Sequence, residues 1–153
     1  MNTFLRYFFF FVANFGALAL GILFTGSGVT SDWYQNMNQA PWTPPGWFFG
    51  VAWTTIMICY SFYMGAAWNR IGKRKMAVLF GFQWVLNVAW NPVFFYFKET
   101  TFALMLISAL TLLLTLKFFF FKKEMGWVNV LLLPYIIWLF IATSLNLYIV
   151  AFN

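Results

Sequence analysis

The side chains that usually carry acid–base or metal chemistry are scarce in this sequence. It has no histidine, one cysteine (Cys59) and three acidic residues, Asp32, Glu99 and Glu124. The commonest general base, haem ligand and metal ligand are therefore missing together. Neither paired-carboxylate hydrolysis nor a nucleophile triad has its parts. A lone cysteine forms no internal disulfide and no metal cluster. What remains is polar but uncharged. Gln83, Asn87 and Asn91 recur at i, i+4 and i+8, which puts three amides on one helical stripe. Tyr135, Trp138, Ala142 and Leu145 follow i, i+3, i+7 and i+10, again one face. Trp53, Met57, Tyr60 and Met64 form a comparable stripe. These groups offer hydrogen bonds and ring faces, and an indole can also give up one electron without any acid–base partner.

The elements that must position these residues are membrane helices. Hydrophobic residues make up 63% of the chain and charged residues 8%, where a soluble domain averages roughly a quarter charged. Such a chain cannot cover its surface with polar groups, so the surface faces lipid. Five apolar segments reach the roughly 20 residues that a span requires, at about 5–24, 46–68, 76–97, 101–121 and 127–152. The first is long enough to span and lacks a small-residue cleavage site, so it reads as a retained helix rather than a signal peptide. Only the connection from Thr25 to Pro45 is long; the others are short and force antiparallel neighbours. The expectation is an all-α membrane protein, one domain over 1–153, with five transmembrane helices and a long first loop capping a ligand pocket.

Charge orients this bundle. Five spans put the amino terminus, the second connection and the fourth connection on one side. Arg6, Arg70, Lys73, Arg74, Lys75, Lys117, Lys122 and Lys123 fall there, and Lys98 alone falls opposite. Basic residues favour the cytoplasmic side, so the amino terminus is expected in the cytoplasm and the carboxyl terminus outside. The net charge of +6 is thereby explained without nucleic acid. No acidic residue lies deep in a span, which argues against a proton-coupled pump.

Amides facing lipid are costly, so Gln83, Asn87 and Asn91 must face protein or a cavity. For Gln83 and Asn87, interhelical hydrogen bonding and a place on a cavity wall stand as equal readings. Asn91 precedes Pro92, which lacks an N–H and kinks a helix, a setting suited to a cavity wall. Trp138 lies roughly 16 Å into the last span and Trp53 roughly 10 Å into the second, at 1.5 Å per residue. Trp138 at that depth is below the interfacial belt and needs a partner or a polar cavity for its indole N–H. Ala142, small among large neighbours, leaves room opposite Trp138. Together the stripes describe an apolar pocket with a few polar points. Gln39 to Trp53, QAPWTPPGWFFGVAW, leads into the second helix. Trp33, Tyr34, Trp42 and Trp47 suit the outer interface, and Pro44 and Pro45 stiffen the approach to the helix. A rigid, uncharged loop of this length reads as a cover over the outer mouth.

Three stretches, WYQNMNQAPWTPPGWFFGVAW, LNVAWNPVFFYF and LLPYIIWLFIATSLN, run in order along nearly the whole chain. They resemble the signatures of the tryptophan-rich sensory protein / translocator protein family, also called the peripheral-type benzodiazepine receptor family. The resemblance implies five transmembrane helices, usually a homodimer, in a bacterial cell membrane. It implies a pocket in each subunit for porphyrins and other flat hydrophobic molecules. Protoporphyrin IX or haem would then be a ligand, and no cofactor would be required. Matched by motif, the ligand-binding set is Tyr34, Pro44, Pro45, Trp53, Asn87, Trp90, Asn91, Phe94, Trp138 and Ala142. Tyr135 and Leu145 join it from the last-helix stripe.

The resemblance also implies that some bacterial members degrade protoporphyrin in light, with Trp53 and Trp138 matching the tryptophans implicated. The animal members' sterol motif lacks its basic residue in LNLYIVAFN. Three functions follow as expectations: binding and sensing of tetrapyrroles; a light- and oxygen-dependent protoporphyrin-degrading enzyme; and facilitated movement of porphyrin or another lipophile. Without histidine, metal-free or weakly ligated porphyrin is favoured. Its propionates would look to Lys98 or to the amino-terminal end of the second helix.

Overall fold

The computed structural model describes residues 2–153. Five helices in it are long and apolar enough to cross a membrane. Helix α1 is Thr3–Thr25, α3 is Gly46–Arg70, α4 is Lys73–Asn91, α5 is Thr100–Phe120 and α7 is Leu133–Phe152. Two short helices, α2 (Asp32–Gln35) and α6 (Lys122–Met125), lie in connections. No strand occurs among the described residues, as the composition led one to expect.

Local sequence sets the helix ends. The Asn2 side chain accepts from Leu5 N at 2.8 Å and caps α1. Ser31 caps α2 in the same way through Tyr34 N. Pro45 precedes α3 in an extended conformation, and its carbonyl accepts from Phe48 N at 2.9 Å. Pro45 therefore stands at the cap position of α3 rather than inside its first turn. The last span departs from expectation. It enters as a 3₁₀ segment, Gly126–Leu132, and becomes α-helical only at Leu133.

Pro92 does more than kink. Its missing N–H leaves the Val88 carbonyl without its helical donor. The ladder resumes one residue wider, with Phe97 N donating to Pro92 O at 2.9 Å across five residues. Pro92–Tyr96 is a π-helix, a rare turn often found at functional sites. The extra residue per turn swings Phe94 inward, to 2% exposure, while Tyr96 and Phe97 face out.

Side-chain hydrogen bonds stitch the bundle together. Asn14 Nδ2 on α1 donates to Ser61 Oγ on α3 at 2.9 Å. Trp84 Nε1 on α4 donates to Ala13 O on α1 at 2.9 Å. Thr111 of α5 and Thr143 of α7 share a hydroxyl bond of 3.0 Å. Bonds of this kind contribute about 0.6 kcal/mol each inside a membrane. Close approach contributes as well: at Gly65 the ring of Tyr7 occupies the space a Cβ would need, so α1 and α3 pack backbone against ring. Large apolar residues such as Phe4, Leu23, Phe82 and Phe119 are left outward, toward lipid.

Candidate functional site

A cavity of about 360 Å³ lies between α1, α3, α4 and α7 at the end carrying the long loop. This is within the usual size range of a small-molecule site. Its walls come from every one of those helices, from the π segment and from the first loop.

The α7 wall arises from helical spacing. Trp138, Ala142, Leu145 and Ile149 stand on one face and all line the cavity. Across from them α3 presents Phe49 and Trp53. The Trp53 and Trp138 rings meet edge-on, centroids 6.5 Å apart at 77°. Phe49 meets the Trp138 ring edge-on at 5.2 Å. Trp138 is 4% exposed, and its indole N–H has no hydrogen-bond partner among the described residues. A buried N–H without a partner costs about 1–3 kcal/mol. An acceptor brought in by a ligand would recover that loss.

The α4 wall carries Asn87, Trp90 and Asn91, followed by Phe94 and Phe95 from the π segment. Trp90 and Phe94 stack with centroids 5.1 Å apart at 21°. Trp90 is held from behind, its Nε1 donating to Asn146 Oδ1 at 3.2 Å, while Asn146 Nδ2 donates to Thr100 O at 2.9 Å. Asn91 rests against α1 at Gly21. A Cβ built on Gly21 would stand 2.8 Å from Asn91 Nδ2. Glycine there lets the amide lie flat on the helix backbone.

The loop covers part of the mouth. Thr25 to Val29 and Tyr34 line the cavity. Tyr34 is 4% exposed and packs near Phe94 and Phe95. Burial raises its phenol above the ordinary ionisation range, so it stands as a neutral group. Farther along, the loop is tied to α7. Trp42 Nε1 donates to Ser144 Oγ at 3.1 Å. Asn38 N donates to Asn153 Oδ1 at 2.9 Å, and Asn38 Nδ2 donates to Phe152 O at 2.9 Å.

The structure brings Tyr34, Trp53, Asn87, Trp90, Asn91, Phe94, Trp138, Ala142 and Leu145 together around one cavity. Three expected members stand apart from its lining. Pro44 and Pro45 precede α3 instead, Pro45 at its cap position. Tyr135 is fully buried below the floor, where Gln83 Nε2 donates to its hydroxyl at 2.9 Å. Its ring packs edge-on against Trp53 at 6.0 Å. Spacing placed Tyr135 on the correct face of α7 but one turn too deep to reach the hollow. The same bond settles Gln83 as an interhelical contact. Met57, Tyr60 and Met64 are likewise fully buried below the cavity. Lys98, expected as a carboxylate partner, lies over the Trp33 ring, its Nζ 5.7 Å from the centroid.

Several lining residues had no mark in the sequence. Ala17, Leu18 and Gly21 of α1 are small or plain aliphatic residues. Asn146 did carry a signal that sequence reasoning passed over: it stands four residues after Ala142 and eight after Trp138, on the same face of α7. Among the described residues, no Asp, Glu, Lys or Arg lines the cavity. A charge placed inside it would be costly, so the site suits a neutral, flat, mostly apolar body with hydrogen-bond acceptors. No group of three His, Cys, Asp or Glu among the described residues could hold a metal.

Comparison with known proteins agrees with this architecture. The model of the TspO/MBR family matches residues 9–152. The chain is similar to the tryptophan-rich sensory protein of Cereibacter sphaeroides, with 33% identity over 147 residues, 95% of this chain and 90% of that one. It is similar to protein CrtK of Rhodobacter capsulatus, with 28% identity over 141 residues, 90% of this chain and 86% of the other. It is also similar to the translocator protein of Homo sapiens, with 30% identity over 128 residues, 74% of this chain and 70% of the human one.

Proposed function

The chain belongs to the TspO/MBR family, and from that premise we propose that it binds and senses porphyrins and related flat hydrophobic molecules within the membrane. One observation carries the reading. An uncharged cavity walled by Trp53, Trp90, Phe94 and Trp138 contains a buried indole N–H that lacks a partner. Indole and phenyl faces stack on a π macrocycle, and the free N–H and the Asn87 and Asn91 amides fix its orientation. The macrocycle's carboxylates stay at the mouth, beside the amino-terminal end of α3 at Gly46, where the helix dipole favours negative charge.

The test is a titration of protoporphyrin IX into the purified chain, followed by the shift of its main absorbance band. Saturable one-to-one binding is expected, with at least tenfold loss, about 1.4 kcal/mol, in Trp138→Phe. Equal affinity in both proteins would remove Trp138 from the site, and absence of saturation would remove the function.

A second reading is favoured by the Trp53–Trp138 ring pair. Two electron-rich indoles against a photoexcitable guest suit light- and oxygen-dependent breakdown of that guest. Loss of protoporphyrin absorbance under light and oxygen, slowed severalfold when both tryptophans are replaced by Phe, is expected. An unchanged rate in the double variant would refute it.

A further inference from the structure

Arg6, near the start of α1, is 8% exposed, yet its Nε has no hydrogen-bond partner among the described residues. Its guanidinium leans on a ring, Cζ standing 5.4 Å from the Tyr7 centroid. A cation buried in this way is costly without an anion beside it. Register shows what it faces. Phe10, one turn deeper, packs edge-on against Trp68 of α3 at 5.6 Å and Phe80 of α4 at 5.1 Å. Arg6 is therefore level with Gly72 and Met76, four residues after Trp68 and four before Phe80. Helical side chains slant toward the amino terminus of their helix, so Arg6 reaches toward the start of α4. That start carries Lys73, Arg74 and Lys75 in its first turn, with no acidic residue and no side-chain cap. The first N–H groups of a helix lack internal partners, and the dipole there disfavours cations. Lys75 turns toward α5, its Nζ 5.6 Å from the Phe121 centroid. Arg70 Nη1 donates to Met125 O at 2.9 Å and so ties α3 to α6. Arg6, Lys73 and Arg74 are left at the seam between α1 and α4.

An open apolar groove of about 640 Å³ runs along the same seam. Phe9, Val12 and Gly16 of α1 and Phe80, Gly81 and Val85 of α4 are among the residues that line it. Its near end, at Phe9 and Phe80, is one turn deeper than Arg6. A Cβ built on Gly16 or Gly81 meets nothing within 4 Å, so these glycines leave room rather than pack. Trp84 Nε1 and Ala13 O, both in the groove wall, satisfy each other and leave that wall apolar.

We propose that the α1–α4 seam binds one acidic phospholipid of the surrounding leaflet. Its phosphate sits at the start of α4, where the Arg6 guanidinium and the free N–H groups of the helix donate to it. The Lys73 and Arg74 side chains balance the headgroup charge from the outside. One acyl chain lies in the groove between Gly16 and Gly81. The two halves of the seam choose the occupant together. A free phosphate would use the cations and leave the groove unfilled. A zwitterionic lipid would fill the groove and leave the cations without a net counter-charge. An acidic phospholipid answers both, with charge attraction acting on the head and apolar contact on the tail.

The experiment uses the full chain in detergent, with phosphatidylglycerol or phosphatidylcholine of identical acyl chains added, and reads lipid retention by native mass spectrometry. The wild-type protein should keep one phosphatidylglycerol per chain at least tenfold more strongly than phosphatidylcholine, a comparison that needs no variant. That preference should shrink as ionic strength rises. Arg6→Gln should lower phosphatidylglycerol retention at least tenfold, and Lys73→Gln with Arg74→Gln severalfold, with phosphatidylcholine retention unchanged in both. Gly81→Leu, which fills the groove, should weaken both lipids severalfold. Equal retention of the two lipids by the wild-type protein overturns the proposal. So does Arg6-dependent retention of inorganic phosphate in place of lipid, which would give the seat to a free anion. A Gly81→Leu protein that changes from dimer to monomer with lipid retention unaltered would make the groove a contact between copies, and that result also overturns it.

Discussion

Gly21 and Asn91 illustrate how a single missing methyl shapes the cavity. With Asn91 Nδ2 only 2.8 Å from where a Cβ would stand, Gly21→Ala must push the amide off α1. We expect porphyrin affinity to change severalfold with little effect on melting temperature, checked by titration alongside a thermal scan. Ala142 is the complementary case, because its small side chain borders the hollow. Ala142→Phe should fill that space and lower affinity at least tenfold, about 1.4 kcal/mol, with the fold intact. Gly65 serves packing instead. Gly65→Ala places a methyl into the Tyr7 ring and should destabilise the bundle by about 1–3 kcal/mol, read as an earlier thermal transition. Tyr34 predicts a pH response. Its raised ionisation in the folded chain gives stability that is intact below about pH 10, the ordinary phenol value, and lost as pH rises past it. Tyr34→Phe should remove that alkaline loss, measured as melting temperature against pH.

Among the elements, the π segment is the one whose shape decides the site. Pro92→Ala would return a donor to the Val88 carbonyl and let α4 continue as an α-helix. Losing the wide turn would rotate the following side chains by about 100° per residue of register, carrying Phe94 off the cavity wall. Weaker porphyrin binding with equal or greater stability is the expected outcome, and equal binding would show that the wide turn is incidental. This element also marks where sequence reasoning falls short. The amide stripe and the Trp138–Ala142–Leu145 face follow from helical period, since side chains three and four apart must share a side. Period reveals the side but not the depth, so Tyr135 reads like its neighbours although it lies beneath the floor. It reveals nothing about α1, where Ala17, Leu18 and Gly21 carry no chemical signature. The proline signals a break in the ladder, but not that the break closes as a five-residue turn.

At the scale of the whole molecule, the bundle has two unlike halves. The half toward the basic ends is packed solid, with Tyr60, Met64, Met125 and Leu132 at 0% exposure. The half toward the loop is hollow, and the loop is tied across it by Asn38, Trp42, Ser144 and Asn153. Asn38→Ala combined with Ser144→Ala should speed porphyrin release severalfold with smaller effect on the association rate, read by displacement kinetics. Five spans and a long first loop were legible from hydropathy and length alone. The ties between loop and α7 were not, because uncharged residues more than a hundred positions apart leave no local trace.

Among the described residues, the cavity lining contains no formal charge. A guest whose acid groups are masked as esters should therefore be held equally well in dilute and concentrated salt. The free acid, reaching ions only at the rim, should loosen as ionic strength climbs and the Debye length shrinks. The difference between those two titrations would measure how much of the grip comes from the edge of the hollow rather than from its walls.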